Sequence, residues 1–480
     1  MASKWVEVPL EQLKAQTKSA FAMGPFGSKI KAENFTTEGV PVIKGGNLNS
    51  TYLDESSFDF LTQEKANELE SAKARRLDIV ITHRGTLGQV GLIPEDSKYE
   101  EYVVSQSQLK MSFDIEKVDP YFIYYFLRSP LGQSRLLSNT SQVGVPAIAQ
   151  ALTSVRAIEI PLPPDRADQV RASKVLRNID QKIDVNNRIN QTLEAMAQAI
   201  FKSWFVDFDP VKAKIAARQE GRDPLRAAMC AINGKSEAEL DALPRERFDQ
   251  LATIAALFPD EVEEPELGEI PRGWSYKALA QLTDKIGSGA TPRGGKEVYL
   301  EEGVALIRSQ NVYDSLFVWD GLARISDEAA IQLKGVTVQE DDVLLNITGA
   351  SILRTCVVEP DALPARVNQH VAIIRAKAGV PPRFIHMHLL RPDIKSYLLG
   401  LNAGASREAI TKAHIESLTV LTPGPQLLAA FQTATDPLFR QVQRFAQQMR
   451  VLGELRDTLL PKLLSGELAV TTPIESAGDM

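Results

Sequence analysis

Two long stretches of the sequence place apolar residues alternately three and four positions apart, the spacing of helices that pack along their whole length. The first seam consists of Ala172, Leu176, Ile179, Ile183, Asn186, Asn190, Leu193, Ala197, Ile200 and Trp204. The second consists of Leu428, Phe431, Thr435, Leu438, Val442, Phe445, Met449, Leu452, Arg456, Leu459 and Leu463. Each helix needs a partner for its stripe, so the pattern predicts that the two helices pack on each other.

Two polar residues, Asn186 and Asn190, lie in the middle of the first seam. A buried Asn lowers the stability of a helix pair but fixes its register and orientation. The alternative is that both face a solvated part of the seam or meet other polar groups. The sequence leaves both interpretations open.

The two segments that precede the helices repeat one another in order and spacing. Corresponding residues are Trp5 and Trp274, Gly39 and Gly303, Val40 and Val304, Ile43 and Ile307, Asn47 and Asn311, Asp78 and Asp342, Gly85 and Gly349, Gln106 and Gln369, Phe122 and Phe384, Leu127 and Leu389, and Pro161 and Pro423. The offset drifts by only a few residues, and chance matches would not keep order and spacing this well. We therefore predict a tandem duplication of a globular unit followed by a long helix.

Each globular unit is predicted to mix helices and strands. Alternating or continuous apolar runs predict strands at residues 40–44, 77–82 and 158–162, and an aromatic run after Asp119-Pro120 predicts a helix at 121–128. The polar, Ala-rich segment 211–258 reads as an inserted connection with short helices, not as an independent domain.

Composition excludes several classes of protein. The 480 residues suffice for two or three domains, and no apolar run approaches the roughly 20 residues of a membrane span. The N-terminus lacks the apolar core of a signal peptide. Cys230 and Cys356 form neither a disulfide framework nor a zinc spacing, so a cytoplasmic location is expected.

Net charge is -7, so any surface that binds nucleic acid must be local. Part of the acidity lies in residues 260–269, which contain six Asp and Glu and no Lys or Arg. This run is most simply a solvated linker, and the alternative is a strip that keeps DNA off one face.

Two similar modules held by antiparallel helices would form a ruler. A connection that contains an entire second unit makes antiparallel packing natural, with a pseudo-two-fold axis across the helices. About 33 helical residues span roughly 50 Å. The modules could then enter major grooves of one duplex about one to one-and-a-half turns apart.

One stretch and two flanking segments resemble a known family. The first is Ile179-Asp180-Gln181-Lys182-Ile183, continuing through Thr192-Leu193-Glu194-Ala195-Met196-Ala197 to Phe201-Lys202-Ser203-Trp204-Phe205-Val206-Asp207-Phe208-Asp209-Pro210-Val211. The others are Glu266-Leu267-Gly268-Glu269-Ile270-Pro271-Arg272-Gly273-Trp274 and Leu463-Leu464-Ser465-Gly466-Glu467-Leu468. They resemble the central conserved region, the entry to the second target recognition domain and the C-terminal conserved region of type I restriction–modification specificity (S) subunits.

The resemblance implies an α+β fold with two duplicated mixed α/β target recognition domains, separated by two long antiparallel coiled-coil helices with pseudo-two-fold symmetry. The expected segments are a first recognition domain (1–163), a central helix (164–208), a connection (209–268), a second recognition domain (269–424), a C-terminal helix (425–466) and a tail (467–480).

The resemblance also implies a non-catalytic subunit whose two domains each read half of a split sequence in double-stranded DNA. Its helices would set the spacer and dock two modification (M) subunits, which methylate adenine with S-adenosylmethionine. Restriction (R) subunits would add ATP- and Mg²⁺-dependent translocation and cleavage. No cofactor or metal and no membrane is expected to bind this chain itself.

The sequence supports a binding role because catalytic motifs are incomplete. The Asn/Asp-Pro-Pro-aromatic signature of adenine methyltransferases is absent, and the Gly-rich stretch 287–296 fails both nucleotide-binding patterns. His386-Met387-His388 lacks nearby acidic or Cys companions for zinc. A fused methyltransferase or nuclease, and a coiled-coil scaffold that binds only protein, remain the alternatives.

Paired polar loops follow the predicted strands in both copies and are candidates for DNA contact. Gly lets backbone approach phosphate, Lys and Arg supply charge, and Asn and Gln pair with adenine edges. The candidates are Lys29, Lys44, Asn47, Arg84, Gln106 and Gln108 in the first copy, and Arg293, Arg308, Gln310, Asn311, Asn346, Thr348, Gln369, His370, Ser406 and Arg407 in the second. Differences such as Arg84 against Thr348 would encode different half-sites.

An aromatic patch closes the first helix and has two interpretations. It comprises Phe201, Trp204, Phe205 and Phe208. It is either core where the helix meets a recognition domain, or part of the surface that docks the M subunit. An exposed patch of this size without a partner would be an aggregation hazard.

Overall fold

The computed structural model describes residues 5–26, 29–141, 144–264, 268–401, 409–468 and 470, without the side chain of residue 296. The candidates Ser406 and Arg407, together with Glu266 and Leu267 of the segment 266–274, lie outside the described residues. The chain forms two compact units. Residues 1–188 and 446–480 make the first unit, and residues 189–445 make the second.

The first unit mixes short strands with short helices and begins the first long helix. Its strands are β1 (Val6–Pro9), β2 (Phe21–Met23), β3 (Phe35–Thr36), β4 (Val40–Ile43), β5 (Asp59–Leu61), β6 (Lys73–Arg75), β7 (Ile79–Thr82), β8 (Val90–Leu92), β9 (Glu101–Val104), β10 (Gln108–Met111), β11 (Thr140–Ser141), β12 (Ala147–Ile148) and β13 (Glu159–Leu162). Its helices are α1 (Leu10–Leu13), α2 (Gln63–Glu68), α3 (Pro120–Arg128), α4 (Pro130–Leu136), α5 (Ala151–Arg156) and the start of α6 (Arg166–Phe205).

The second unit holds the end of α6 and most later elements. Its strands are β14 (Val262–Glu263), β15 (Ile270–Pro271), β16 (Ser275–Ala278), β17 (Thr283–Ser288), β18 (Tyr299–Leu300), β19 (Val304–Ile307), β20 (Val312–Tyr313), β21 (Leu316–Phe317), β22 (Ala323–Ile325), β23 (Thr337–Val338), β24 (Val343–Asn346), β25 (Thr355–Val357), β26 (Ala365–Val367), β27 (Val371–Ala376) and β28 (Thr419–Thr422). Its helices are α7 (Asp209–Gln219), α8 (Pro224–Asn233), α9 (Glu237–Asp241), α10 (Arg245–Ala256), α11 (Leu279–Leu282), α12 (Asp327–Gln332), α13 (Pro382–Leu390), α14 (Pro392–Gly400), α15 (Lys412–Ser417) and α16 (Pro425–Ser465), which runs back into the first unit.

The same sheet topology occurs in both units, which confirms the duplication. The first unit has a four-stranded sheet of order β2-β10-β7-β8 and a five-stranded sheet of order β3-β5-β4-β9-β6. The second repeats these as β17-β27-β24-β25 and β18-β22-β19-β26-β23. In each five-stranded sheet one pair, β4 with β9 or β19 with β26, is parallel. The strands predicted at residues 40–44, 77–82 and 158–162 correspond to β4, β7 and β13.

A glycine before the central strand explains one of the repeated positions. Gly39 and Gly303 have φ of +131° and +140°. A Cβ there would lie 2.2 Å from the Leu61 carbonyl oxygen or 2.5 Å from that of Ile325. Only glycine combines this backbone conformation with such close approach to a neighbouring strand.

The two long helices pack antiparallel within each unit, as the seams predict. In the first unit, Arg456 of α16 donates to Asp180 of α6 at 3.0 Å. In the second unit, Asn190 donates to the Val442 carbonyl at 3.1 Å, and the rings of Phe201 and Phe431 lie 6.0 Å apart. Residue numbers thus rise along one helix as they fall along the other.

The ends of α6 follow from local chemistry. Pro163 and Pro164 precede it, and the Asp165 carboxylate accepts from the Ala167 N–H at 2.8 Å, so a side chain caps the first turn. At its far end Phe208 has φ of +58°, and Pro210 opens the next helix. The helix predicted from about residue 165 to 205 is confirmed.

The segment between α6 and the second duplicated unit folds as α7 to α10. These helices enclose a small apolar cluster of their own around Ala228, Met229, Leu240 and Ala255. The predicted short helices are confirmed, and the segment has a minor core that its polar composition does not reveal.

Candidate nucleic-acid interface

Four loops converge where strands of the first unit end, and we call them the first loop edge: residues 44–47, 82–85, 105–107 and 144–148. Backbone hydrogen bonds join them. Ser105 N–H donates to the Ile43 carbonyl at 2.9 Å, and His83 N–H donates to the Ser107 carbonyl at 2.9 Å. Gly85 N–H donates to the Pro146 carbonyl at 2.8 Å. The parallel pairing of β4 and β9 brings their carboxyl ends to one edge.

The second unit builds a matching second loop edge from residues 308–311, 346–349, 368–370 and 409–410. Asn368 N–H donates to the Ile307 carbonyl at 3.1 Å, and Ile347 N–H donates to the His370 carbonyl at 3.0 Å. Ile410 N–H donates to the Ile347 carbonyl at 2.8 Å. The structure therefore brings the paired loops together, in the same way, in each unit.

Two of the candidate amides, Asn47 and Asn311, are structural. Both are buried at the third position of a 3-10 turn. The side-chain oxygen of Asn47 accepts from the Lys44 N–H at 2.9 Å, and its nitrogen donates to the Asp54 and Ser57 carbonyls at 3.1 and 2.9 Å. Asn311 repeats this pattern with the Arg308 N–H and the Val318 and Asp320 carbonyls. We correct their expected role from reading a base edge to holding the loop.

Gln108 and Asn346 need the same correction. Gln108 is 1% exposed and donates to the Thr82 hydroxyl at 3.1 Å, while the Ser105 hydroxyl donates to it. Asn346 is fully buried and donates to the Ser309 carbonyl at 2.9 Å. Burial and internal hydrogen bonds leave neither amide open to a base in this conformation.

The remaining candidates of the first unit lie at the surface. Lys29, Arg84 and Gln106 are exposed, and no described residue engages the side chain of Lys29 or Arg84. Lys44 is also exposed, but its ammonium forms an ion pair with Asp59 and lies 4.9 Å from the Phe35 ring centre. The loops that carry Arg84 and Gln106 are joined beside both residues, because the ring nitrogen Nε2 of His83 lies 3.2 Å from the Gln106 backbone carbonyl oxygen.

Among the described candidates, the second unit has fewer cations without a side-chain partner. Arg293 and Gln310 are exposed, but Arg308 is half-buried and donates to the Gly321 carbonyl at 2.5 Å. Thr348 and His370 form a pair, with the hydroxyl 2.6 Å from Nδ1. The side-chain oxygen Oε1 of Gln369 accepts from the Thr291 hydroxyl at 2.7 Å, which orients its exposed amide.

Gln89 also holds the first loop edge, although the sequence pattern does not indicate this. Gln89 accepts from the Thr82 hydroxyl at 2.8 Å and donates to the Gly45 carbonyl at 3.0 Å and to the Asn49 side chain at 2.6 Å. It thus joins the turn after β4 to the end of β7. A single Gln in a loop gives no signal of this role in sequence.

A buried carboxylate precedes strand β7 in the first unit and strand β24 in the second. Asp78 and Asp342 cap the backbone before β7 and β24, accepting from the Arg75 and Gln339 N–H at 2.9 and 2.7 Å. Their cations differ. Lys110 lies 3.9 Å from Asp78, whereas Arg375 binds Asp342 through two bonds of 2.7 Å. Burial raises the pKa of Asp78 and lowers the pKa of Lys110, because both groups lose solvation.

The aromatic patch belongs to the core of the second unit, the first of its two interpretations, and not to a docking surface for the M subunit. Phe201, Trp204 and Phe205 are at most 4% exposed, and Phe208 packs against the same cluster. Phe205 lies 5.2 Å from Phe384 and 5.9 Å from Trp274, between ring centres. Phe201, Trp204 and Phe205 are therefore covered by other rings, and only Phe208 of the four keeps part of its surface exposed.

Among the described residues, no group of three His, Cys, Asp or Glu is placed to hold a metal ion. His386 and His388 are buried in the core of the second unit, where loss of solvation lowers both pKa values to about 3. No helix in the described part of the chain is long and apolar enough to cross a membrane.

Comparison with known proteins gives concordant results. Residues 23–195 match the family model of the type I restriction modification DNA specificity domain. The type I restriction enzyme HindI specificity subunit of Haemophilus influenzae is 29% identical over 78% of this chain and 83% of its own length. The MjaIX specificity subunit of Methanocaldococcus jannaschii is 25% identical over 66% of this chain and 62% of its own.

A solved structure extends the likeness in fold to nearly the whole chain. The S subunit of a type I restriction–modification system from M. genitalium has a TM-score of 0.53 at 14% identity, covering 96% of both chains. The duplicated units, the antiparallel helices and the matched relatives agree with one another. The matched family model, the relatives and the fold all support a type I restriction–modification specificity subunit.

Proposed function

We propose that this chain is the sequence-specific DNA-recognition subunit of a type I restriction–modification assembly, and that each unit reads one half of a bipartite target. One observation carries the proposal. The same loop edge is built twice on the same strands, while the exposed side chains differ between the copies. A shared scaffold with different contacts suits two related modules that select different sequences.

Each loop edge combines the two kinds of contact that DNA recognition needs. Lys29 and Arg293 are exposed cations on loops beside the edges and suit phosphate contact. Arg84 and Gln106 in the first unit, and Gln310 and Gln369 in the second, are exposed donors and acceptors suited to base edges. The buried amides hold these loops in place, so the loops lose little conformational entropy when DNA binds.

The helices supply the spacer and the surface for partner subunits in this proposal. Their packed faces are occupied by each other, but α6 also exposes Val185 and Met196, and α16 exposes Val451 and Leu455, each 44–54% exposed. These apolar positions replace the aromatic patch as the expected contact with the modification subunits.

The chain acts by binding alone in this proposal. Two modification subunits would methylate adenine with S-adenosylmethionine, and restriction subunits would supply ATP- and Mg²⁺-dependent cleavage. With a net charge of -7, the isolated chain should bind DNA weakly, and the assembled modification subunits should provide much of the affinity. Tight, specific binding by the isolated chain at physiological salt would contradict this.

The test is to map methylated adenines after expressing the chain with its modification subunits in a host without other adenine methylation. The wild type should yield one bipartite motif with a fixed spacer. Exchanging Arg84 and Gln106 for Ala should alter one half of the motif, and exchanging Gln310 and Gln369 for Ala should alter the other. A matched control, Glu64→Ala on exposed α2, should change neither.

An uninterrupted motif, or loss of both halves with either pair of substitutions, would overturn the assignment of one half-site to each unit. Methylation by the purified chain without modification subunits would instead establish the fused-enzyme alternative. A wild-type assembly that leaves every site unmethylated and protects no DNA would support a protein-binding scaffold.

A further inference from the structure

Residues 84 and 348 occupy one structural position in the two copies. Each lies two residues beyond the end of its strand, β7 or β24, and forms an isolated antiparallel bridge, Arg84 with Ala147 and Thr348 with Ala409. The backbone is fixed on the other side as well, since Ile148 N–H donates to the His83 carbonyl at 2.9 Å. A side chain at this position is therefore presented from a rigid backbone.

The two side chains at this position offer different chemistry. Arg84 is exposed and has no side-chain partner among the described residues, whereas Arg135 and Arg177 of the same unit bind Glu7 and Glu95. An exposed guanidinium at a loop edge keeps all of its donors available. It is a planar fork that matches two acceptors side by side.

In the second unit the same place is closed to such a contact. The Thr348 hydroxyl is engaged with His370 Nδ1 at 2.6 Å, and His370 Nε2 lies 3.0 Å from the Gln369 side-chain nitrogen. A neutral imidazole with its proton on Nδ1 satisfies both bonds, because Gln369 then donates to Nε2. At this position the described residues of the second unit offer an oriented amide and no exposed guanidinium.

We infer that Arg84 selects a guanine in the half-site read by the first unit, donating to O6 and N7 in the major groove. Among the base pairs, only the guanine edge offers two adjacent acceptors to a cationic fork. The second unit, with Thr348 at the equivalent position, makes no such selection there. The inference deepens the proposed function and depends on it.

The test uses the complete assembly with its modification subunits and compares the methylated motifs of the wild type, Arg84→Thr and Arg84→Lys. Arg84→Thr installs the residue of the other copy. It should leave the second half-site and the spacer unchanged and make one guanine position of the first half-site degenerate. Competition between duplexes that differ only at that base pair should show about tenfold weaker discrimination.

Arg84→Lys should keep part of the preference for guanine, because a single ammonium still donates to one acceptor but loses the paired geometry. The matched control is Arg75→Thr. Arg75 is an exposed residue of strand β6, and its guanidinium lies 3.6 Å from the Glu70 carboxylate. This substitution should leave both half-sites unchanged.

An unchanged motif in Arg84→Thr, or degeneracy in the second half-site instead, would overturn the inference while leaving the bipartite function intact. If Arg84→Thr abolishes methylation, the duplex competition with Arg84→Lys decides, since equal affinity for all four base pairs would also overturn it. A wild-type assembly that shows no bipartite motif would count against the proposed function itself.

Discussion

The two units share a topology but are fastened to the long helices by different chemistry. In the first unit, the buried carboxylate of Asp180 on α6 accepts from Tyr125 at 2.7 Å and from Arg456 at 3.0 Å. The hydroxyl of Tyr52 lies 3.0 Å from that of Tyr125 and extends this polar chain toward the loops. In the second unit, α6 is attached by aromatic rings instead: Phe205 packs against Phe384 and Phe431.

The difference shows which part of a duplicated fold is constrained. Strand order and backbone geometry are kept, because they place the loop edges. The contact of α3 or α13 with the long helix α6 can be polar or aromatic, provided that its buried polar atoms are hydrogen-bonded or its apolar surface is covered. A polar attachment fixes geometry through directional bonds, whereas an aromatic one contributes mainly buried area.

The largest expected effect is on the aromatic attachment. Phe205→Ala should lower the free energy of unfolding of the second unit by about 4 kcal/mol, because it removes a fully buried ring and leaves a cavity. Three of the four tryptophans, Trp204, Trp274 and Trp319, belong to this unit, so urea unfolding followed by fluorescence reports on it. Met196→Ala, 50% exposed on the same helix, should change stability by less than about 0.5 kcal/mol. A loss below about 1 kcal/mol for Phe205→Ala would argue against a core role.

The polar attachment should respond differently to single and paired substitutions. Asp180→Leu alone should cost about 3 kcal/mol, because it removes the buried carboxylate that pairs with Arg456 and leaves this partly buried cation only the exposed Asp457. Combining it with Arg456→Met should recover most of the loss, since an apolar pair of similar volume removes both charges. Circular dichroism during urea unfolding measures both. Additive losses in the double variant would show that the pair itself is not what stabilises the helices here.

Sequence predicted the repeated scaffold because its constraints are local. Repeated glycines such as Gly39 and Gly303, and the three-four spacing of apolar residues, can be read from the sequence without knowledge of tertiary contacts. The attachments were not predictable. Whether Phe205 is core depends on Phe384 and Phe431, which approach it only through the tertiary fold. The aromatic patch therefore had two interpretations at the level of sequence.

The loop edges show the same limit. Asn47 and Gln106 are both amides that follow a strand, and residue type alone made both candidates for base contact. The 3-10 turn directs Asn47 inward, where its hydrogen bonds close the loop, while Gln106 lies at the surface. Which amide faces solvent depends on the turn conformation, which a polar, Gly-rich stretch does not reveal.

A third, smaller difference concerns acid stability. His388 occupies in the second copy the place of Phe126 in the first. Its pKa is lowered from 6.5 to about 3 by burial, so the stability it contributes is present above pH 6.5 and is lost as the pH falls below that value. At pH 5.5 the loss should be about 1.4 kcal/mol for this histidine. His388→Phe should remove that part of the acid sensitivity, measured by unfolding at pH 7.5 and 5.5. An equal pH dependence in the variant would contradict the assignment.

The smallest expected effect concerns a polar pair in the seam between the two long helices. The offset that relates Pro161 to Pro423 also relates Asn186 to Gln448, and Asn186 donates to Gln448 at 3.3 Å in the buried seam. Burial, with Asn186 fully covered, excludes the interpretation that this Asn is solvated in the described structure. Its side-chain oxygen finds no partner among the described residues, so the pair is a poor source of stability.

Replacing both Asn186 and Gln448 by Leu should therefore raise the free energy of unfolding by about 1 kcal/mol, since an apolar pair avoids burying an unsatisfied oxygen. The same variant tests register. If the pair fixes the alignment of the helices, the methylated motif of the assembled variant should lose its single spacer length even though the chain is more stable. A stable variant with one unchanged spacer would show that the attachments to the two units, and not the polar residues of the seam, set the register.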